Sequence, residues 1–476
     1  MAMGTHEEQK QQEELWIPST ALPQGASHPF YQRLNQLLEE NGFDPWVEGL
    51  CQRFYAPKLG RPSLAPGRYF RLLLIGYFEG IDSERGMAWR ANDSLALRRF
   101  LRVGLGESAP DHSTISRTRR LIDLETHREV FAWVLRVLAE HGLLKGETLG
   151  IDATTLEANA ALRSIVRRDT GEGYQEFLKR LAKESGIETP TREQLAKLDR
   201  KRPRKGSNED WKHPHDGDAR IAKMKDGRTH LAHKVEHGVD LQSGALLAVT
   251  VQPADRGDTQ TLERTLAEAS EAIAQVARET KDDEAGERVN PQGPIAAVLD
   301  KGYHSGEVLV EMKERAVRSY CSEPERGRRR WKGKREEQAA VYANRRRIRG
   351  ARGKELLKQR GEKIERSFAH CYETGGLRRL HLRRHPNILK RLLVHGAAFN
   401  LGLVMRKILG HGTPRGLQGY RAGLFLAVLR LLRQACKAMM TSPAQGNNLG
   451  GHPAHFQAAA SSISAPLKMN ISTTGC

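Results

Sequence analysis

The segment GETLGIDATT (residues 146–155) contains an apolar run that ends in one aspartate, Asp152. A second segment, GPIAAVLDKGYH (293–304), has the same arrangement and ends its apolar run at Asp300. Short apolar runs bounded by glycine, proline or aspartate are typical of buried β-strands. A carboxylate at the end of such a strand costs desolvation free energy unless it is paired or binds a metal ion. Two such carboxylates on one sheet favour a functional site over the alternative, in which each aspartate caps a turn.

The segments around these two runs predict the rest of an α/β core. Alternating or apolar patterns predict strands at 229–240 and 244–254. Helical periodicity predicts helices at 259–279 and 305–316. This order of elements predicts an α/β core, a mixed sheet with flanking helices. Residues 28–145 show apolar positions at steps of three and four, which predicts an all-helical N-terminal domain before that core.

A third carboxylate is expected on a helix that crosses the strand ends. Two divalent ions that act on one phosphodiester need a shared carboxylate and one more on each side. The segment 353–372 reads as such a helix, and Glu365 adjoins its apolar stripe. The stripe consists of Leu356, Leu357, Ile364, Phe368 and Cys371. The competing carboxylates are Glu355, Glu362 and Glu373, of which Glu362 has the more polar neighbours.

Positive charge is concentrated directly before that glutamate. The chain has 77 Lys and Arg residues against 57 Asp and Glu residues, a net charge of +20, which predicts a polyanionic partner. Residues 325–363 contain 16 Lys and Arg and 5 Asp and Glu residues. We interpret this segment as a DNA-binding insertion, in which Trp331 and Tyr342 could stack on unpaired bases. The alternative is a solvated helical face or a disordered basic tract.

Two smaller features leave alternatives open. The segment that starts at Asp111 offers Asp111 or Ser113 as a helix N-cap and carries a basic face. That helix is either a recognition helix for DNA or a capped surface helix. A polar cluster at 213–218 resembles a metal site in composition only, because its spacing matches no usual zinc geometry.

Cysteine usage and the two ends of the chain indicate an intracellular location. The five cysteines are scattered and odd in number, which favours reduced thiols in a cytosol. The polar, acidic N-terminus lacks the features of a signal peptide. The apolar run 424–440 is interrupted by three basic residues, so no membrane partner is expected.

Several blocks of the sequence resemble a known family. They are GIDATTLEANA (150–160), AVLDKGYHS (297–305), RGEKIERSFAH (360–370) and the long block 375–416. In this order they resemble DDE-type transposases of bacterial insertion sequences, the group that includes the IS-four and IS-five types. The resemblance runs from about residue 28 to residue 416, most of the chain.

The resemblance implies a ribonuclease-H-like catalytic core in which Asp152, Asp300 and Glu365 are catalytic and bind two Mg²⁺ ions, for which Mn²⁺ could substitute. It also implies a transposase that binds terminal inverted repeats, cuts them and joins the 3′-hydroxyl to target DNA. The partners would be double-stranded DNA and a second copy of the chain on that DNA, in the cytoplasm. The alternatives are a metal-dependent nuclease of the same fold and a catalytically inactive DNA-binding protein.

The sequence departs from the family pattern beside the glutamate. Relatives often carry an arginine before it and a lysine seven residues after it; Gly361 and Tyr372 stand at those places. Arg360, Arg366 or Arg378 could substitute. The residues expected to contact DNA are Arg328, Arg329, Arg330, Trp331, Arg345, Arg346, Arg347, Arg360 and Arg366.

The expected domain boundaries follow from these patterns. They are a flexible arm at 1–27, a helical domain for DNA binding or assembly at 28–145, a DDE catalytic domain at 146–410, a helical segment at 411–441 and a disordered tail at 442–476. The catalytic domain would carry two charged, exposed insertions, at 157–224 and 322–354.

Overall fold

The computed structural model describes most of the helical and catalytic regions. It describes residues 28–417 apart from 57–62, 105, 203–205, 225–226, 281–288, 326 and 328. Several predictions therefore lie outside the described residues: the arm 1–27, most of the segment 411–441 with its apolar run, the tail 442–476 and the contact assigned to Arg328.

The first part of the described chain is helical, as its periodicity predicted. Its helices are α1 (Pro29–Glu40), α2 (Phe43–Cys51), α3 (Pro66–Glu79), α4 (Glu84–Asp93), α5 (Leu95–Phe100), α6 (His112–Leu121) and α7 (Leu124–Glu140). Local sequence sets their ends: α3 begins with Pro66 and ends at Gly80, whose φ of +70° favours glycine. The side chain of Asp111 caps α6 by accepting a hydrogen bond from the Ser113 N–H.

The second part contains a mixed sheet. Its strands are β1 (Thr148–Glu157), β4 (Arg220–Lys223), β5 (Thr229–Asp240), β6 (Leu246–Pro253), β7 (Ala296–Leu299) and β8 (Arg318–Cys321), while β2 (Val166–Arg167) and β3 (Trp211–Lys212) form a separate small pair. The order in the sheet is β4-β5-β1-β7-β8, and β6 also pairs with β5. β5 is antiparallel to β1, β4 and β6, whereas β7 is parallel to β1 and β8. The predicted mixed sheet is therefore present.

Helices pack on both faces of this sheet. The further helices are α8 (Tyr174–Glu184), α9 (Arg192–Lys201), α10 (Asp258–Glu279), α11 (Gly306–Glu314), α12 (Arg335–Arg349), α13 (Ala351–Phe368) and α14 (His385–Leu409). A π-helix, Ala369–Thr374, continues α13. Successive residues of a strand point to opposite faces, so Asp152 and its paired residue His237 face α13. Glu236 lies on the other face, where it accepts hydrogen bonds from α10.

The long helix α14 joins the helical part to the sheet. It packs against α3 and α7 on one side and against β6 on the other. The Asn400 side chain bonds both backbone groups of Leu246, at 2.8 Å each, and so satisfies the outer edge of β6. The helical part and the sheet therefore share one core within a single compact unit.

α14 also belongs to the stretch that is long and apolar enough to cross a membrane, His385–Leu417, judged by length and composition among the described residues. Within the protein, 94% of its apolar window is buried. Such burial is typical of a core helix.

The first insertion departs from the expected exposed, polar segment. Residues 158–231 enclose a small hydrophobic core of their own. It is formed by Ala158, Ile165, Phe177, Leu178, Ala182, Leu195, Trp211, Ala219 and Leu231. The apolar residues are few and widely spaced in sequence, and they come together only because α8, α9 and the β2–β3 pair fold onto one another. A local composition argument could not detect them.

Candidate active site

Asp152 and Asp300 lie on adjacent strands at the same level. β1 and β7 are parallel, and Ile151 pairs with Leu299. The next residue of each chain segment, Asp152 or Asp300, therefore lies beside the other. Asp152 is part of β1, whereas Asp300 directly follows β7 and precedes the 3₁₀ turn Lys301–Tyr303. Their side chains are 29% and 44% exposed, respectively, so both carboxylates can reach solvent.

A third charged group joins the two carboxylates. Arg360, on α13, donates a hydrogen bond from Nη1 to Oδ2 of Asp152 at 3.0 Å. Its Nη2 lies 3.7 Å from Oδ1 of Asp300. The Arg360 side chain is only 14% exposed, which makes this a largely buried interaction. One guanidinium therefore contacts both aspartates at the position where a shared cation would be expected.

Opposing effects act on the pKa of Asp152. Burial raises the pKa of its carboxyl above the ordinary value. The positive charge of Arg360 and the backbone N–H of Ala153, which donates to Oδ1 at 2.8 Å, oppose that rise. The neighbouring charge of Asp300 adds to it. Asp152 therefore depends on nearby positive charge to remain ionised.

The predicted third carboxylate, Glu365, lies on α13 as expected. The helix crosses the sheet face, with Ile364 packed on Gly150, where an added Cβ would lie 3.2 Å from Ile364 Cδ1. Lys363 points toward the start of β1, because its Nζ donates to Gln242 O at 2.8 Å. Each residue turns an α-helix by about 100°, so Glu365 is about 200° from Lys363. Glu365 consequently lies on the opposite flank of α13 from Lys363, and its side chain is exposed.

One of the three competing glutamates, Glu362, has a partner on its own helix. Glu362 is exposed and accepts a hydrogen bond of 2.8 Å from Arg366 one helical turn away. Glu362 precedes Lys363 by one residue and is therefore rotated by about 100° from it around the helix axis. This rotation places Glu362 on the side of α13 that faces away from the sheet. Glu362 therefore has the contacts of a surface helix charge, as its polar neighbours suggested.

A buried histidine fixes the end of α13 to the sheet. His237 Nδ1 lies 2.9 Å from Ser367 Oγ, and His237 Nε2 lies 2.5 Å from Tyr372 Oη. Burial lowers the pKa of His237 to about 3, so the ring is neutral near pH 7. Tyr372 lies in the π-helix, a local widening of the helix that is often found at functional sites. His237 is fully enclosed and positions the helix.

A second buried network holds the turn after Asp300. Tyr303 donates a hydrogen bond of 3.0 Å to Oε1 of Glu236. Thr265 donates to the other carboxylate oxygen of Glu236 at 2.6 Å, and Lys234 Nζ lies 3.6 Å from Oε1. Lys234, on the same strand as Glu236, is buried and pairs with Asp258 at 2.6 Å. The network fixes Tyr303 and hence the backbone that follows Asp300.

The donor set fits a hard divalent cation in part. Asp152 and Asp300 supply carboxylate oxygens, the ligand type that Mg²⁺ prefers, and they already share one cationic group. Within the part of the chain that the structure describes, however, no three His, Cys, Asp or Glu side chains are grouped as metal ligands. The two aspartates therefore form the centre of the site, and Glu365 stands on the flank of the adjacent helix.

The residues predicted to bind DNA fall into two groups. Several make contacts within the protein: Arg345 pairs with Glu323 at 2.7 Å, and Arg347 donates to Ser319 O at 2.8 Å. Arg360 and Arg366 have the carboxylate contacts given above.

The remaining described members lie nearer the surface. Arg329 is partly buried, 3.4 Å from the His304 ring, and its guanidinium lies 5.7 Å from the centre of the Trp331 ring. Arg330 and Arg346 are exposed, whereas Trp331 is partly buried. Arg330 and Arg346 are thus the members of the predicted set best placed to meet a ligand.

Comparison with known families agrees with this fold. The family described as "Transposase domain (DUF772)" matches residues 20–121, and the family described as "Transposase DDE domain" matches residues 208–401. A mixed sheet with flanking helices is consistent with the ribonuclease-H-like architecture that the second family implies. The two matches confirm the prediction of a DDE-type transposase. Members of this family act on DNA and generally use divalent metal ions.

The wider comparisons add no relatives. Neither the comparison with curated proteins nor the comparison with solved structures gives a match to this chain. The assignment to the IS-four and IS-five group therefore stays a prediction based on the sequence blocks.

The structure adds site residues that sequence reasoning missed. His237 and Tyr303 hold the helix and the loop of the site, yet each reads in sequence as an ordinary polar residue. Arg360 had a signal, because it adjoins Gly361, the place where relatives carry an arginine. Its contact with both aspartates is the new observation.

Proposed function

We propose that this transposase cleaves DNA at the terminal inverted repeats of an insertion sequence and joins the freed ends to target DNA. The observation that carries the proposal is the juxtaposition of Asp152, within β1, and Asp300, directly after β7, on adjacent parallel strands that the helix bearing Glu365 crosses. Carboxylates in this arrangement suit phosphoryl transfer, in which charge develops on the attacking and leaving oxygens.

Three carboxylates would hold the metal ions. Asp152, Asp300 and Glu365 would together hold two Mg²⁺ ions, for which Mn²⁺ could substitute. When bound, the ions would polarise the attacking water and stabilise the leaving oxygen. Arg360 would have to exchange its contact with the aspartates for another partner, and the DNA backbone offers one, since guanidinium groups bind phosphates well.

The reaction would proceed in two displacements at the same site. Water attacks the phosphorus at the transposon end, the P–O3′ bond breaks, and a 3′-hydroxyl is released. That hydroxyl then attacks a phosphodiester of the target DNA, which joins transposon to target and releases a target 3′-hydroxyl. No covalent bond to the protein is formed. Neutral His237 would keep α13, and with it Glu365, in place through both steps.

The partners follow from the reaction. Two ends must be cut and inserted together, so the working assembly would be a homodimer on double-stranded DNA in the cytoplasm. In the basic segment, exposed Arg330 and partly buried Trp331 would contact the backbone and an unpaired base near the cut.

The testing experiment uses the full chain with Mg²⁺ and a duplex that carries the inverted repeats flanking its own gene. Nicking at the repeat boundary, lost in Asp152→Ala, supports the proposal. Pre-cut ends that become joined to a target plasmid separate a transposase from a nuclease of the same fold. Binding without cleavage would instead support the inactive DNA-binding alternative, which the Arg360 contact with both aspartates favours.

A further inference from the structure

A basic groove lies beside the end of the strand that carries Asp152. It has a volume of about 610 Å³ and is lined by Ser116, Arg119, Arg120, Asn159, His381, Leu382, Arg383, Arg384 and Asn387. Its walls are α6, the residues after β1 and the segment that enters α14. The groove is open and polar, so it does not have the shape of an enclosed pocket for a small apolar ligand.

The groove presents arginines that carry no opposing charge. Arg120, Arg383 and Arg384 are exposed, and among the described residues none of the three forms an ion pair. Arg383 Nε donates to the backbone oxygen of Asn159 at 3.0 Å, which links the groove to the end of β1. Arg120 Nε donates only within its own helix, to Ser116 O at 3.4 Å. The guanidinium groups of Arg120 and Arg384 are therefore available to an anion.

Arg384 is held in an unusual backbone conformation. Its φ is +68°, a region that residues other than glycine rarely adopt. The Arg384 N–H donates to Oδ1 of Asp216 at 3.1 Å, and the next N–H, of His385, donates to Oδ2 of Asp218 at 2.9 Å. Strained residues that the surroundings hold in place are concentrated at functional sites.

The support for this strained residue is itself buried. Asp216 is fully enclosed, and its second oxygen lies 3.2 Å from His233 Nε2. The polar cluster at 213–218, which resembled a metal site in sequence, therefore acts as a clamp on the start of α14. The clamp fixes Arg384 beside Arg383 on the groove wall.

The position of the groove suits a duplex that leaves the active site. β1 runs from Asp152 toward Asn159, seven residues later, a span of about 23 Å in extended chain. The same span corresponds to about seven base pairs of duplex DNA. A duplex with its cut phosphate at Asp152 and Asp300 could thus bring a backbone phosphate to the groove.

We propose that this groove is a second DNA-binding site, which contacts phosphates about seven base pairs from the cut through Arg120, Arg383 and Arg384. The inference rests on the proposed function, since it assigns the path of the same DNA. Contacts of this kind fix the position of a duplex without reading its sequence. In this proposal the basic face of α6 contacts phosphates of the DNA backbone.

The test compares DNA binding by the full chain and by the double variant Arg120→Ala/Arg384→Gly. Glycine adopts a positive φ without strain, so this change removes the guanidinium and keeps the backbone conformation. Fluorescence anisotropy is measured against salt concentration with two end duplexes, one that extends about 20 base pairs from the cut and one that extends about four, too short to reach the groove. Arg384→Lys, which keeps the charge, and Arg278→Ala, at an exposed site on α10, are the controls.

On the long duplex the double variant should bind on the order of tenfold more weakly at low salt, and the slope of log K against log salt should fall by about two. On the short duplex it should match the unaltered protein, and both controls should bind as the unaltered protein does. Equal binding of the long duplex by the double variant, or an equal loss on both duplexes, would overturn the inference while the proposed function stands. If the unaltered protein binds neither duplex, the proposed function fails and the inference fails with it.

Discussion

Arg360 Nη1 donates a hydrogen bond of 3.0 Å to Oδ2 of Asp152, although 208 positions separate the two residues in the sequence. The same guanidinium lies 3.7 Å from Asp300, so it balances two carboxylates at once. Its Nε is buried and has no hydrogen-bond partner among the described residues. The Arg360 guanidinium therefore balances the negative charge of the two aspartates, but its own Nε donor has no hydrogen-bond partner within the described part of the chain. This missing hydrogen bond lowers the free-energy cost of moving the side chain away from the site.

Arg360→Gln should raise the affinity of the protein for Mn²⁺ on the order of tenfold, equal to about 1.4 kcal/mol. Removal of the guanidinium takes away a positive charge that competes with the ion for Asp152 and Asp300. Isothermal titration calorimetry on the full chain measures this directly. Arg366→Gln, which removes a guanidinium paired with Glu362 on the same helix, is the control and should leave the affinity unchanged. Unchanged or weaker binding in Arg360→Gln would show that Arg360 does not compete with a metal ion.

Tyr303→Phe should lower the free energy of unfolding by about 1.5–3 kcal/mol, the range for a hydrogen bond to a charged group. The change removes the Tyr303 hydroxyl from buried Glu236 and frees the turn that follows Asp300. Urea denaturation measures the loss, and end cleavage should fall with it. Tyr342→Phe, at a partly exposed tyrosine on α12, should change the unfolding free energy by less than about 0.5 kcal/mol. Equal free energies of unfolding for the two variants would show that the Tyr303 hydroxyl does not hold the turn after Asp300.

The protein should lose stability as the pH falls below about 6.5. Burial lowers the pKa of His127 and His237 to about 3 and that of His385 to about 4. Between those values and the ordinary histidine pKa, the unfolded chain binds protons that the folded protein does not, so acid favours unfolding. The free energy of unfolding at about pH 7.5 and about pH 5 measures the effect.

His237→Gln should make that pH dependence shallower, by up to about 1.4 kcal/mol per pH unit for the one group removed. The matched control is His381→Gln, at an exposed histidine, which should keep the slope of the unaltered protein. A slope in His237→Gln as steep as that of the control would contradict the assignment of a buried neutral ring.

Arg330→Ala and Arg347→Ala should have opposite effects on binding and stability. Arg330 is exposed, so its loss should weaken DNA binding and reduce the salt slope by about one. Arg347 donates to both Ser319 O and Ser319 Oγ, at 2.8 Å and 2.7 Å, and its loss should cost about 1–3 kcal/mol of unfolding free energy. Anisotropy and urea denaturation on both variants test this. A fall in DNA affinity for Arg347→Ala without a fall in the free energy of unfolding would show that Arg347 contacts DNA and does not stabilise the fold.

The sequence predicted the parts of the site that depend on local pattern. Asp152 and Asp300 end apolar runs, and each run is a strand of the same sheet because apolar residues with turn signals form buried strands. The stripe on α13 likewise placed Glu365 on a helix that lies against the sheet. The family blocks then gave the order of the three carboxylates.

Contacts between distant segments could not be predicted in this way. The pairing of Arg360 with Asp152, and of His237 with Tyr372, depends on how α13 crosses the sheet, which no local pattern specifies. The short strands β4 (RIAK) and β8 (RSYC) were missed because neither contains an apolar run like that of β7. The core around Trp211 was missed for a related reason, since its members are scattered among charged residues.

The most direct test of the account compares Glu365→Gln with Glu362→Gln in the end-cleavage assay with Mg²⁺. Both variants replace an exposed glutamate of α13 by its neutral analogue, so each removes one negative charge from the same helix. We expect Glu365→Gln to abolish cleavage while it binds the end duplex normally, and Glu362→Gln to cleave as the unaltered protein does. Normal cleavage by Glu365→Gln, or loss of cleavage in Glu362→Gln alone, would contradict the assignment of Asp152, Asp300 and Glu365 as the catalytic carboxylates.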